Sequence, residues 1–109
     1  MRDVYEPVYQ SFAQEVHLYS PKAAVILERI HEEYRAQIAF YAAYVILCLE
    51  MHSQNSGHRS SQDQTDLNFG AMQFFQITKE KPEARALFKE ALQGYRIDCQ
   101  RRFTAQTPH

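Results

Sequence analysis

Residues 20–52 read SPKAAVILERIHEEYRAQIAFYAAYVILCLEMH, and the fold turns on how this stretch is read. Ser20 offers a side-chain oxygen at an N-cap, and Pro21 suits the first helical turn. No further Gly or Pro follows before Ser53. The stretch predicts one helix from Pro21 to His52. At ~1.5 Å per residue such a rod is ~50 Å long, against a radius of gyration near ~13 Å for a compact chain of this size. That mismatch points to association.

Three lines run along the predicted helix. Ala23, Leu27, Ile30, Tyr34, Ile38, Tyr41, Val45 and Cys48 recur at steps of three and four, as a core-facing stripe does. A second line starts polar, with Glu28, Glu32 and Arg35, and continues as Ala39, Ala42, Ile46 and Leu49. A third starts with Arg29 and Glu33 and continues as Phe40, Tyr44, Leu47 and Met51. The 12 residues from Ile38 to Leu49 carry no charge and no amide, so this half is apolar all round and needs cover on every side. A membrane span needs about 18 or more apolar residues. Arg35 and Glu50 lie close to the ends of the shorter run here, and no membrane insertion is expected.

Around that element the chain reads as a single all-α domain over residues 1–109, about four helices in a bundle. A first helix is expected from Val4 to Tyr19, with Tyr5, Val8, Phe12, Val16 and Tyr19 on one face. Residues 53–64 contain no apolar side chain, and a polar loop is expected at about 53–65. Thr65 or Asp66 then caps a third helix over Leu67 to Thr78, whose apolar mass is Leu67, Ala71, Phe74, Phe75 and Ile77. Gly70 suits a close helix crossing. Pro82 opens a fourth helix to about Phe103, with Ala84, Leu87, Phe88, Ala91, Tyr95, Cys99 and Phe103 as its buried line. Gly94 costs about 1 kcal/mol against Ala in mid-helix, so a packing reason or local bend is expected there. Thr104 to His109 reads as a frayed tail.

Composition narrows the function classes. The net charge of −1 argues against a general polyanion binder. Residues 1–66 carry five Lys/Arg against nine Asp/Glu, and residues 67–109 carry seven against four. The basic bias of the second part fits either complementary helices or a face for an acidic partner. Cys48 and Cys99 sit within apolar helical patterns and read as reduced core residues. Met1 to Pro7 has no apolar run, so a cytoplasmic location is expected.

The sequence holds no Gly-rich phosphate loop, no serine elbow and no HExxH pattern, and no enzyme is expected. Glu28 and His31 have the Glu-x-x-His spacing of helical di-metal sites, but the second pair those sites need is missing. Cys48 and His52 are one turn apart, in an apolar setting that raises a thiol pKa rather than lowering it. No metal or cofactor is expected. Lys79, Lys81, Arg85, Lys89, Arg96, Arg101 and Arg102 are interleaved with Glu80, Glu83, Glu90 and Asp98, which with the near-neutral total charge weakens a nucleic-acid reading.

The layout of a helix from Pro21 to His52, a polar break from Ser53 to Gln64 and two further helices resembles the QslA-type antiactivators of bacterial quorum sensing. The resemblance implies a homodimer that binds a LuxR-type transcription regulator, disrupts that regulator's dimer and keeps it off DNA. It carries no contact residue over.

The candidate interface comes from the helical faces: Ala39, Ala42, Ile46 and Leu49 on one line, Phe40, Tyr44, Leu47 and Met51 on the other. One is expected to pack on a second subunit and the other on a target or the fourth helix, with the assignment open. The expected function is a homodimeric, non-enzymatic inhibitor of another protein. A toxin-immunity or phage-encoded inhibitor and a small helical DNA-binding protein are the alternatives.

Overall fold

The computed structural model describes residues 4–54 and 61–106. Five helices occupy them: α1 (Tyr5–Tyr19), α2 (Pro21–Glu33), α3 (Ala36–Gln54), α4 (Ser61–Ile77) and α5 (Pro82–Gln106). The all-α expectation holds, with five helices in place of about four.

The extra helix comes from a break in the long rod. Tyr34 is extended (φ −131°, ψ −167°), and its amide closes α2 on the Ile30 carbonyl at 2.9 Å. The Arg35 carbonyl then accepts from the amides of Ile38 and Ala39, starting α3. No Gly or Pro marks the position, and Glu32 and Glu33 are acids where basic residues favour a helix end. Tertiary packing decides it. The break forfeits a few backbone hydrogen bonds at about 1 kcal/mol net each. In return Leu27, Ile30, Ile38, Val45 and Ile46 all enter one core, at ~1.5–3 kcal/mol for each large side chain. The continuous Pro21–His52 helix is therefore corrected, and with it the argument that the rod outruns its own globule.

The short links set the directions. Ser20 alone joins α1 to α2, and the two fold back on each other, with Tyr9 stacked on His31 at 4.4 Å. α3 runs beside α1 in the same sense: Tyr5 meets Phe40 and Tyr41, while Phe12 meets Phe40 and Tyr44. α4 returns along α3, and α5 lies along α2 with Gly94 over Lys22 and Ala23. The bundle is elongated, 53 × 29 × 25 Å, with a radius of gyration of 14.1 Å.

Both mid-helix glycines have packing reasons. A Cβ at Gly70 would lie 2.4 Å from Tyr44 Cδ1 and 3.3 Å from Val45 Cγ2, so its absence lets α4 approach α3. A Cβ at Gly94 would lie 3.1 Å from Lys22 Cβ. The α2 start is fixed across the same contact. Ser20 Oγ accepts from the Ala23 amide at 3.1 Å and donates to Asp98 at 2.7 Å, and Asp98 also accepts from the Lys22 amide. A carboxylate at a helix N-terminus is favourably placed.

Several boundaries differ from expectation. α3 continues through Ser53 and Gln54, and α4 begins at Ser61, so much of the expected 53–65 loop is helical; its remainder, residues 55–60, lies outside the described residues. Polar residues that need no burial can still take helical backbone, as Gln64 does while donating to Asn68 at 3.1 Å. α5 likewise runs on to Gln106 through residues expected to fray. In α1 the buried residues are Tyr9 and Val16, while Val8 is exposed. Tyr9 gains a polar anchor at Leu27 O, 3.3 Å away, and burial pushes its hydroxyl pKa up to about 12.

Candidate interaction surface

Polar side chains inside the bundle gather around one buried acid. Glu50, the one acid in α3, is only 3% exposed. Its carboxylate accepts from Arg102 Nη1 at 3.0 Å, Arg102 Nη2 at 2.6 Å and the Tyr95 hydroxyl at 2.9 Å. A two-point guanidinium bond is the geometry that offsets the cost of burying a carboxylate. Burial, then the bond to Glu50, raises the Tyr95 hydroxyl pKa, and the same carboxylate raises that of Arg102. The Arg102 guanidinium also lies over the Tyr19 ring, 5.8 Å from its centre. The cluster ties the ends of α1, α3 and α5 together and holds its phenol and guanidinium in their protonated forms.

The pairs singled out for chemistry are placed as follows. His31 bonds Glu6 at 2.7 Å and stacks on Tyr9, while Glu28 points to solvent. His52 Nε2 is buried with no hydrogen-bond partner among the described residues. Cys99 lies 3.9 Å from the Ser53 hydroxyl. Among the described residues no group of three or more His, Cys, Asp or Glu is arranged to hold a metal. Arg85 closes the end of α4, donating to Phe75 O at 2.7 Å and to Thr78 Oγ1 at 3.2 Å. Lys79, Lys81, Lys89, Arg96 and Arg101 are exposed, with Glu80, Glu83 and Glu90 exposed among them.

The two candidate lines on α3 have unequal cover. Ala39, Ala42 and Ile46 are fully enclosed by the chain's own helices, and Leu49 is half-buried. Phe40, Tyr44 and Leu47 are half-buried, and Met51 alone of the eight is exposed. The expectation that so small a chain leaves α3 bare is corrected: α1, α2 and α4 all pack on it. The 18-residue window Ala36–Ser53 has a mean hydropathy of 1.2, long and apolar enough to cross a membrane by length and composition. Half of that window is buried in the bundle, as in the core helix of a folded domain.

The exposed apolar surface lies instead on α4. Phe69, Met72 and Phe75 are 47%, 62% and 45% exposed, each three residues from the next. Phe75, expected in the core, is turned outward because Phe74 takes the buried position, 4.3 Å from Phe88. Phe69 leans on Tyr41 and Tyr44 at 6.4 Å each, so the patch continues into the half-buried rings of the α3 line. No charged residue occurs between Leu67 and Thr78. The other exposed large apolar residues, Val4, Val8, Leu18, Val25, Met51 and Ile97, are distributed over α1, α2, α3, α5 and the residue before α1. Lone apolar residues at a surface are ordinary, whereas a contiguous apolar face marks contact with another molecule. The sequence signal for this face was its uninterrupted lack of charge.

The chain matches no protein-family model, no curated protein and no solved structure. The class defined by fold and surface is an all-α bundle with an uncharged, partly apolar helix face.

Proposed function

We propose that this chain is a homodimeric, non-enzymatic regulator that acts by binding another protein and blocking it. The uncharged α4 face with Phe69, Met72 and Phe75 in water is the observation that carries the association, whether with a second copy of this chain or with a target. A face of large aromatic and Met side chains without charge has the composition of a protein–protein interface core. Such a face is costly to leave in water, at ~1.5–3 kcal/mol for each large side chain that a partner could cover.

The mechanism is competition. An apolar helical surface occupies the patch through which a target assembles, as in helix-in-groove recognition. The resemblance to quorum-sensing antiactivators suggests a LuxR-type transcription regulator as target, although the Tyr34 break removes the continuous long helix on which that resemblance partly rested. The test is to titrate the purified chain into a LuxR-type regulator held on its operator DNA. Release of the DNA at stoichiometric chain supports the reading. Full retention at large excess rejects that target.

A further inference from the structure

The middle of the solvent side of α4, from Asn68 to Gln76, reads alike in either direction. Its exposed residues, with Lys79 and Glu80 in the turn that follows, are Gln64, Thr65, Asn68, Phe69, Met72, Phe75, Gln76, Lys79 and Glu80; residues 61–63 lie outside the described side chains. Turning the helix end for end about Met72 sets Phe69 opposite Phe75, Asn68 opposite Gln76, Thr65 opposite Lys79, and Met72 opposite itself. The inner positions match in chemistry, ring to ring, amide to amide and thioether to thioether, while the outer ones set the neutral Thr65 and Gln64 opposite the charged Lys79 and Glu80. Few surfaces suit their own reversed image, and a two-fold dimer requires that property.

Charge selects the direction. In the reversed arrangement Lys79 and Glu80 of one copy stand opposite the uncharged Thr65 and Gln64 of the other, with the half-buried Asp66 one position from Lys79. In a parallel arrangement Asp66 would approach Asp66 and Lys79 would approach Lys79. Antiparallel axes also oppose the two helix dipoles favourably. At the centre, where any charge would meet its own copy, the residue is Met72. The flanking rings are already held by their own chain: Phe69 rests on Tyr41 and Tyr44, and Phe75 lies under Arg85, 5.4 Å from its guanidinium. Rings held in place lose little freedom on association.

We propose that α4 is the homodimer seam: two copies of this chain pair antiparallel through α4, Met72 on Met72 and Phe69 on Phe75. The inference rests on the homodimeric reading above and adds the surface, the direction and the register. It places the target's contact outside this face.

Cysteine cross-linking of the full chain tests it, with the native Cys48 and Cys99 retained and the wild type as background. Under mild oxidation Met72→Cys yields covalent dimer several-fold faster than wild type. An Asn68→Cys and Gln76→Cys mixture yields the mixed dimer several-fold faster than either variant alone. Met72→Cys cross-linking no faster than wild type overturns the seam. Asn68→Cys alone matching the mixture overturns the antiparallel register. A wild type that is dimeric by light scattering but fails the Met72→Cys test rejects the seam and leaves the homodimer standing. A monomeric wild type rejects both.

Discussion

Glu50 on α3 and Arg102 on α5 meet through two hydrogen bonds, 3.0 and 2.6 Å, in a setting where the carboxylate is almost wholly withdrawn from water. Removing one partner leaves the other charge uncompensated, which costs ~3–5 kcal/mol for a buried pair. Arg102 sits at the rim, so Arg102→Met is expected toward the low end of that range by urea unfolding. Replacing both, Glu50→Leu with Arg102→Met, is expected to recover most of the loss. A double variant as unstable as the single one would contradict the pairing account.

Gly70 and Gly94 separate close approach from helix propensity. Gly70→Ala drives a Cβ into the Tyr44 ring, itself packed against Phe12, Phe40 and Phe69. Overpacking costs ~1–3 kcal/mol, more than the ~1 kcal/mol that Ala gains in propensity. Gly94→Ala meets Lys22 Cβ at 3.1 Å, a contact that a small shift relieves. Thermal melts are expected to show Gly70→Ala destabilised and Gly94→Ala close to wild type.

Ser20 closes the α1–α2 corner, giving to Asp98 and accepting from Ala23. Ser20→Ala removes an N-cap, usually ~0.5–2 kcal/mol, and also takes a bond from Asp98. Loss toward the upper end is expected in urea. A change indistinguishable from zero would show that the corner is held by packing alone.

The Glu6–His31 pair predicts the acid limb of stability. The hydrogen bond from His31 lowers the Glu6 pKa below its ordinary 4.5. The unfolded chain then binds the proton more readily, so this contribution is complete above about pH 4.5. It fades as pH falls through the lower, folded value. Melting temperature is expected to drop below pH 4.5 less steeply in His31→Leu than in wild type. At the alkaline end Tyr9, raised to about 12, holds its proton longer in the fold, so stability falls as pH rises from 10 toward 12.

Helical periodicity placed most of the core in advance. Ala84, Leu87, Phe88, Ala91 and Tyr95 are buried as their spacing predicts, with Cys99 half-buried behind them. Ser20 with Pro21 marked the start of α2 for the same local reason, a cap whose chemistry lies within a few residues. The Tyr34 break had no such local sign, because it exists to let two apolar segments share one core. Glu50 was read beside an apolar run, not as a buried charge, since its partners stand 45 and 52 residues further on. The exposure of Phe75 was lost to the same cause: adjacent Phe74 and Phe75 compete for one inward position, and only α5 decides between them.

Light scattering of the wild-type chain beside Met72→Arg tests the central claim most directly. Met72 is largely in water, so the substitution leaves the fold and its circular dichroism unchanged. The account predicts twice the 12.8 kDa chain mass for wild type and 12.8 kDa for Met72→Arg at the same concentration. A wild type that stays at 12.8 kDa at every concentration, or a Met72→Arg variant that remains dimeric, would contradict it.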